Sequence, residues 1–266
     1  MKKILALLMA LTMVFCFAAC GGNETPAPNG DEQTASDLAY IQDKGTIIVG
    51  VTPYAPMDFL DENGEWTGFD AEYARAVAAK LGVEAEFIEI DWDNKVFELE
   101  SKNIDVVWNG MTITDGLKQQ MNITDPYVKN AQVVVMKADV APDYDAVESL
   151  ASLSFAVEAG SAGESYAKDN GLTYTSLQYQ SDALLEVEAG KADACIIDIT
   201  MANSMTGEGT SYDDLAQAIT LNEEFYGVGC RVDSDLCAKI NEITDELIAD
   251  GTLDLLAEKY ELTLVK

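Results

Sequence analysis

The sequence predicts an α/β protein made of two similar lobes, and three observations lead to this prediction. From residue 46 onward, short β-rich apolar segments alternate with helical segments, a pattern typical of parallel sheets covered by helices. Residues 100–105 and 188–193 form a weak repeat, because in each a helix end and a short turn lead to an aspartate before an apolar strand. The two aspartates, Asp105 and Asp193, are 193 − 105 = 88 residues apart, about the length of one small α/β domain.

Local signals place the individual elements along the chain. Apolar, β-rich composition predicts strands in five segments: 46–51, 83–90, 104–108, 154–157 and 192–197. Helical signals mark five further segments: 71–81, 93–101, 163–170, 181–189 and a long helix after residue 233. Asp70, Ser181 and Asp233 are the expected N-caps of three of these helices. Residues 61–65 predict a hairpin turn, since they lack the full spacing of a calcium-binding EF-hand loop.

The N-terminal segment is typical of an export signal rather than of a folded domain. Two lysines precede an apolar run over residues 4–19, which is shorter than the roughly 20 residues of a membrane-spanning helix. Small residues surround Cys20, so residues 1–19 resemble a bacterial lipoprotein signal peptide and Cys20 the cysteine that is lipidated. A short membrane anchor is the alternative. Residues 20–37 are polar and contain prolines, which predicts a disordered tether.

Composition excludes several classes of function. The 16 basic and 47 acidic residues give a net charge of −31, which becomes 14 − 47 = −33 once Lys2 and Lys3 leave with the signal peptide. Nucleic acid is not an expected partner, because phosphate contacts need patches of lysine and arginine. The sequence contains no histidine, the commonest metal ligand and general base, so we expect no metal site, no cofactor and no Ser-His-Asp triad.

Polar residues at three predicted strand ends suit a small charged ligand. One strand is followed by four residues with free backbone groups or a hydroxyl: Asn109, Gly110, Met111 and Thr112. Ser161 and Ala162 lie in a small-residue loop before a helix, where N–H groups and the helix dipole suit a carboxylate. Asp198 ends an apolar strand, where a carboxylate is well placed to meet an ammonium group. The structural alternatives are a loop capped by Thr114, an ordinary helix start, and an N-cap at Asp198.

Two aromatic residues near loop starts, Tyr54 and Trp92, are candidates for stacking against a ligand. Trp92 lies between Asp91 and Asp93, so the chain must turn there. The alternative for each ring is an ordinary position in the core.

Six blocks along the chain, taken in order, resemble one known family. The blocks are 53–57, 64–70, 104–114, 124–127, 160–164 and 192–198. Together they resemble the polar amino-acid-binding proteins of ABC importers, the bacterial extracellular solute-binding proteins of family 3, over about residues 38–260. The resemblance implies a type II periplasmic-binding fold with two Rossmann-like lobes and two hinge strands. Lobe 1 would comprise 38–130 plus 226–266, lobe 2 would comprise 131–225, and the crossings would lie near 130–132 and 225–227.

The resemblance also implies a function. The chain would be a monomeric, extracytoplasmic binding component, held at the membrane by lipid on Cys20, that closes on an amino acid or related solute and delivers it to a permease. The ammonium of the ligand would meet Asp198 and the carbonyl of Gly110, with Thr112 assisting. Tyr54 and Trp92 would supply the stacking positions, and the loop at Ser161 and Ala162 would offer N–H groups to the carboxylate; no residue would be catalytic.

The chain departs from the family pattern where the carboxylate of the ligand should bind. Members usually carry an arginine in a Thr-x-x-Arg run, but the corresponding residue here is Leu117, and Ala162 occupies a position that often supplies a hydroxyl. Each charge-assisted hydrogen bond is worth on the order of 1.5–3 kcal/mol. Either a shifted cation replaces the arginine, with Lys118, Lys129 or Arg231 as candidates, or the ligand is an amine, amide or peptide-like compound without a free carboxylate there.

Two other functions remain open on the same fold. Some related proteins are dehydratases of cyclic amino-acid precursors or murein lyases, and Asp198 or Asp58 could then act as the acid. The second alternative is a surface sensor or adhesin.

Overall fold

Two separate five-stranded sheets organise the computed structural model, which describes residues 36–266. The first part of the chain forms nine elements: α1 (Asp37–Lys44), β1 (Thr46–Val51), β2 (Phe59–Leu60), β3 (Trp66–Thr67), α2 (Phe69–Leu81), β4 (Glu84–Glu89), α3 (Lys95–Glu100), β5 (Val106–Val107) and β6 (Asn122–Ile123). The middle forms eight: β7 (Val128–Lys137), β8 (Ser154–Glu158), α4 (Ala162–Asp169), β9 (Thr173–Leu177), α5 (Gln180–Glu188), β10 (Ala194–Asp198), α6 (Ile199–Met205) and β11 (Leu215–Tyr226). The chain ends with β12 (Gly229–Cys230), α7 (Leu236–Ala249) and α8 (Thr252–Lys259).

The two sheets share one plan, which confirms the predicted α/β fold with two lobes. The first sheet has the order β4-β1-β5-β12-β6, and the second has the order β11-β7-β10-β8-β9. In each, three strands from successive β-α-β units are parallel: β1 with β4 and β5, and β8 with β9 and β10. The alternating pattern predicted parallel sheets, and the structure shows that both sheets are mixed, because β12 and β7 run antiparallel beside these trios. We call the part of the chain around the first sheet lobe 1 and that around the second lobe 2.

The weak sequence repeat corresponds to equivalent positions in the two lobes. The Oδ2 atom of Asp105, just before β5, accepts a hydrogen bond from the N–H of Ile48 in β1 at 2.8 Å. The Oδ2 atom of Asp193, just before β10, accepts one from the N–H of Ser154 in β8, also at 2.8 Å. Each aspartate therefore links two neighbouring parallel strands at an equivalent position of its sheet.

Strands β7 and β11 lie at the predicted crossings. They pair antiparallel from Lys137 with Leu215 to Val128 with Tyr226, so both passages of the chain run side by side. Residues 130–132 fall within β7, and residue 226 ends β11.

Two of the predicted N-caps lie inside their helices. Asp70 lies inside α2, which begins after Gly68, and its Oδ2 accepts hydrogen bonds from the N–H of Gly110 at 2.6 Å and the hydroxyl of Tyr127 at 2.8 Å. Ser181 is the second residue of α5.

Three other expectations concern the start of α7 and the N-terminal segment. Asp233 has a left-handed backbone (φ +59°), and Asp235 occupies the cap position of α7. Helix α1 begins at Asp37 with Ser36 as its N-cap, so the predicted tether overlaps the helix by one residue. The signal peptide and Cys20 lie outside the described residues. None of the helices within 36–266 is long and apolar enough to cross a membrane.

Candidate functional site

A cavity of about 330 Å³ is lined by residues from both lobes, beyond the carboxyl ends of β1, β5, β8 and β10. All ten residues predicted to contact a ligand line it: Tyr54, Trp92, Asn109, Gly110, Met111, Thr112, Leu117, Ser161, Ala162 and Asp198. A larger groove of about 980 Å³ runs beside the hinge strands and the C-terminal segment, but it contains none of the ten. The smaller cavity is therefore the candidate site.

Asp198 presents a buried carboxylate to this cavity at the end of β10. One of its oxygens accepts hydrogen bonds from the side-chain amides of Asn130 and Gln132, and the other accepts one from the amide of Gln180. The backbone N–H of Asp198 in turn donates to Oε1 of Gln180 at 3.1 Å. These amides fix the orientation of the carboxylate and favour its charged form.

Glu224, in β11, extends this network toward lobe 1. Its Oε1 accepts hydrogen bonds from the amides of Asn130 at 2.7 Å and Gln132 at 2.8 Å, and from the hydroxyl of Thr112 at 2.7 Å. Since the hydroxyl hydrogen of Thr112 is used for Glu224, its oxygen remains an acceptor on the cavity side.

Two fully buried aspartates, Asp58 and Asp70, hold the loop 109–112 in place through hydrogen bonds. The amide of Asn109 donates to Asp58 at 2.7 Å, while its Oδ1 accepts from the N–H of Thr52 at 2.8 Å. Asp70 accepts from the N–H of Gly110, whose φ is +55°, and a Cβ atom at Gly110 would lie 2.6 Å from the ring of Tyr54. Asp58 therefore supports the loop, and it does not line the cavity as an acid would need to.

The two predicted stacking residues are both largely buried, at 3% exposure for Tyr54 and 7% for Trp92. The hydroxyl of Tyr54 shares hydrogen bonds with those of Thr200 and Tyr226, which links lobe 1 to lobe 2. The ring of Trp92 lies under the ammonium of Lys95, with 4.7 Å between Nζ and the ring centroid.

The loop before α4 offers fewer N–H groups than the sequence suggests. The N–H of Ser161 donates to the carbonyl of Glu158 at 3.2 Å, and its hydroxyl caps the helix by accepting from the N–H of Glu164 at 3.0 Å. Within the described chain, the N–H groups of Ala162 and Gly163 remain without a hydrogen-bond acceptor.

None of the three cations proposed to replace the missing arginine lines the cavity. Lys118 is exposed beside Asp115, Lys129 lines the larger groove, and Arg231 is buried in lobe 1 against Asp37 and Asp105. Those positions were wrong because sequence distance from Leu117 does not indicate which side chains turn into a cleft.

Lys95 is the lysine that sequence reasoning missed. It lines the cavity, and it is the single Lys or Arg to do so among residues 36–266. The available signal was its position three residues after Trp92, because residues three apart share one face of a helical turn.

Burial moves the pKa values of three cavity side chains toward neutrality. Burial, followed by the nearby Glu224 carboxylate, raises the pKa of Asp198 to about 7. Burial and the Asp198 carboxylate raise the pKa of Glu158 to about 8. Burial lowers the pKa of Lys95 to about 8, although the carboxylates of Glu158 and Asp93 act in the opposite direction. Burial thus disfavours the charged form of all three groups.

Groups of three or more residues that could hold a metal ion do not occur in the described part of the chain. The site instead offers charged and amide groups of both lobes around a volume suited to a small polar molecule.

Comparison with known proteins gives a consistent result. Residues 47–263 match the family described as bacterial extracellular solute-binding proteins, family 3. The chain is 29% identical to the arginine-binding extracellular protein ArtP of Bacillus subtilis, over 98% of both chains. It is similar to a crystal structure of the P235GK mutant of ArgBP from T. maritima, with a TM-score of 0.78 and 33% identity over 84% of this chain and 98% of that one.

A second structural similarity is to an ancestral amino acid-binding protein, AncCDT-1, described as a precursor of cyclohexadienyl dehydratase. The TM-score is 0.77, with 31% identity over 85% of this chain and 99% of that one.

Proposed function

Because the chain belongs to the bacterial extracellular solute-binding proteins of family 3, we propose that its cavity binds an amino acid for delivery to the permease of an ABC importer. The observation that carries this proposal is the buried carboxylate of Asp198, which faces a cavity lined by both lobes. Asp198 receives the ammonium of the ligand, and the Thr112 oxygen accepts a further hydrogen bond from it. The ligand leaves the protein chemically unchanged.

Binding is coupled to closure because the ligand reaches groups of both lobes only when they meet. Asp198, Ser161 and Ala162 belong to lobe 2, whereas Thr112 and Trp92 belong to lobe 1. A ligand with greater affinity for the closed arrangement shifts the population toward it, with β7 and β11 as the hinge strands. The closed form is the species that the permease recognises.

The chain acts outside the cytoplasm as a monomer and is held at the membrane by lipid on Cys20. The lipoprotein-like signal around Cys20 supports this part of the proposal. Replacing Cys20 by Ala should release the mature protein from the membrane fraction of the expressing cells.

The decisive experiment is a thermal-shift screen of the twenty standard L-amino acids, followed by calorimetry of each amino acid that raises the Tm. A ligand at about 100 times its Kd stabilises the folded state by about 2.7 kcal/mol. Asp198→Asn should weaken binding about 100-fold or more, because the ammonium loses a charged partner. Asp115→Asn removes an exposed carboxylate outside the cavity and should bind as the wild type does.

Mass spectrometry of each stabilising amino acid after incubation separates binding from catalysis. Recovery of the unaltered amino acid supports a binding protein, and its conversion would support a dehydratase instead. A screen without any amino-acid response, or Asp198→Asn with wild-type affinity, would contradict the proposed function.

A further inference from the structure

Lys95 has the features of a buried cation that awaits an anionic partner. The residue is 5% exposed, and it begins α3 in lobe 1. Its Nζ donates to the carbonyl of Trp92 at 3.1 Å and to the carbonyl of Gly160 in lobe 2 at 2.8 Å. An ammonium has three N–H groups, so one remains beyond these two bonds.

Carbonyl dipoles solvate the Lys95 ammonium without neutralising it. Within residues 36–266 it forms no ion pair with a carboxylate, whereas Arg231, the other buried basic residue of this part of the chain, pairs with two aspartates. Removing a charge from water is costly, and buried charges are therefore normally paired. An anion supplied from outside would complete the environment of Lys95.

The neighbours of Lys95 suit a carboxylate in particular. The loop that provides the Gly160 carbonyl continues to the free N–H groups of Ala162 and Gly163 at the start of α4, where the helix dipole favours negative charge. Asp198 supplies a carboxylate to the same cavity. A zwitterion can therefore direct its two charges to different groups.

We propose that Lys95 recognises the carboxylate of an α-amino acid in the cavity and so replaces the cation that Leu117 does not provide. This inference rests on the proposed function and extends it, because it assigns a free carboxylate to the ligand. Amines and amides are then poor ligands. The same residue also joins the lobes through Gly160, so a carboxylate bound to Lys95 lies at the point where they meet.

The inference is tested with three acid and amide pairs: L-arginine, L-histidine and L-glutamine, each against its primary α-amide. The calorimetric Kd ratio of amide to acid isolates the contribution of the carboxylate. In the wild type the acid that binds should do so at least about tenfold more tightly than its amide. Lys95→Met should reduce this ratio to about one to three, and Lys95→Arg should keep most of it.

Several controls separate recognition from a purely structural role. Lys118→Met makes the same substitution at an exposed lysine outside the cavity, and it should keep the wild-type ratio. Adding Leu117→Arg to Lys95→Met returns a cation to the cavity and should restore the preference for the acid. A loss of affinity for acid and amide alike would indicate that Lys95 only supports closure, and would overturn the inference.

The outcomes also distinguish this inference from the proposed function. If the wild type binds acid and amide equally, the proposed binding of an amino-acid-like ligand still stands, but the role of Lys95 is contradicted. An unchanged ratio in Lys95→Met contradicts it as well. If none of the six compounds binds and the twenty-amino-acid screen is negative, the proposed function fails and this inference fails with it. Should Lys95→Met not fold, Lys95→Gln and the wild-type ratio decide the question.

Discussion

The two lobes repeat one β-α-β plan but use their buried acids in different ways. In lobe 1, Asp58 and Asp70 turn away from the cavity and hold the loop that follows β5. In lobe 2, Glu158 and Asp198 face the cavity from the ends of β8 and β10. The shared plan determines where strand ends meet, whereas individual side chains determine whether the buried acids of a lobe support the site or line it.

The largest expected effect comes from the contact between the lobes at Gly160. A Cβ atom there would lie 2.7 Å from the Cα of Asp93 in lobe 1, so Gly160→Ala should prevent closure and weaken amino-acid binding about 100-fold or more. Gly171→Ala is the matched control in lobe 2, because its φ of +66° resembles the +71° of Gly160 but its Cβ would meet nothing within 4 Å. Calorimetry should show normal binding in the control, and equal losses in both variants would indicate backbone strain alone.

The support role of lobe 1 predicts a pH-dependent stability. Burial raises the pKa of Asp70 to about 7, so the folded state binds a proton that the unfolded chain has already released. This contribution to stability is complete below about pH 4 and is lost as the pH rises to about 7. Urea unfolding at intervals between pH 4 and 8 should therefore show falling stability, and Asp70→Asn should remove about 2–4 kcal/mol of that fall.

Asp115→Asn, at an exposed carboxylate, should leave the slope of stability against pH unchanged. If Asp70→Asn also leaves this slope unchanged, the folded state does not bind an extra proton at the buried acids of lobe 1. The contrast between the lobes would then be limited to the cavity.

A smaller effect is expected at the rim of the cavity, where the lobes touch without the ligand. The hydroxyl of Tyr179 donates to Glu89, and this hydrogen bond raises the pKa of Tyr179 to about 12. The amide of Gln178 donates to Asp91 at 3.2 Å. Tyr179→Phe should increase the dissociation rate of a bound amino acid about threefold to tenfold, measured by stopped flow, because only the closed state loses a bond.

Tyr174→Phe is a suitable control, since this tyrosine belongs to lobe 2 and packs, partly buried, against its core. An unchanged dissociation rate in Tyr179→Phe would indicate that the contact at the rim does not stabilise the closed state. That state would then be stabilised by the ligand and Lys95 alone.

The candidate site residues could be selected from the sequence because strand ends and small-residue loops are local features. The ten predicted residues come from six separate segments, and the fold brings all of them to one cavity. The aspartate repeat was also visible, since Asp105 and Asp193 open equivalent strands. Features that depend on distant partners were not predicted: β12 has only two residues, and Asp70 caps no helix because Gly110 and Tyr127 bind it.

The failure to find Lys95 has the same physical origin. The three-residue spacing places Lys95 on the same face of a turn as Trp92, but it does not indicate the hydrogen bond to the Gly160 carbonyl, which lies 65 residues away. The segment that carries the substitution at Leu117 therefore could not indicate where a compensating charge would be.

The order of residues at the rim has a consequence for the size of what the protein accepts. Two hydrogen bonds join the lobes at the opening, one from Gln178 to Asp91 and one from Tyr179 to Glu89. Asp91 and Tyr179 are each followed in sequence by a residue that lines the cavity, Trp92 or Gln180. A ligand large enough to displace Trp92 or Gln180 must also break the hydrogen bond formed by the preceding residue. The contacts at the opening thereby limit the size of the ligand, because a molecule too large for the cavity would keep the lobes apart.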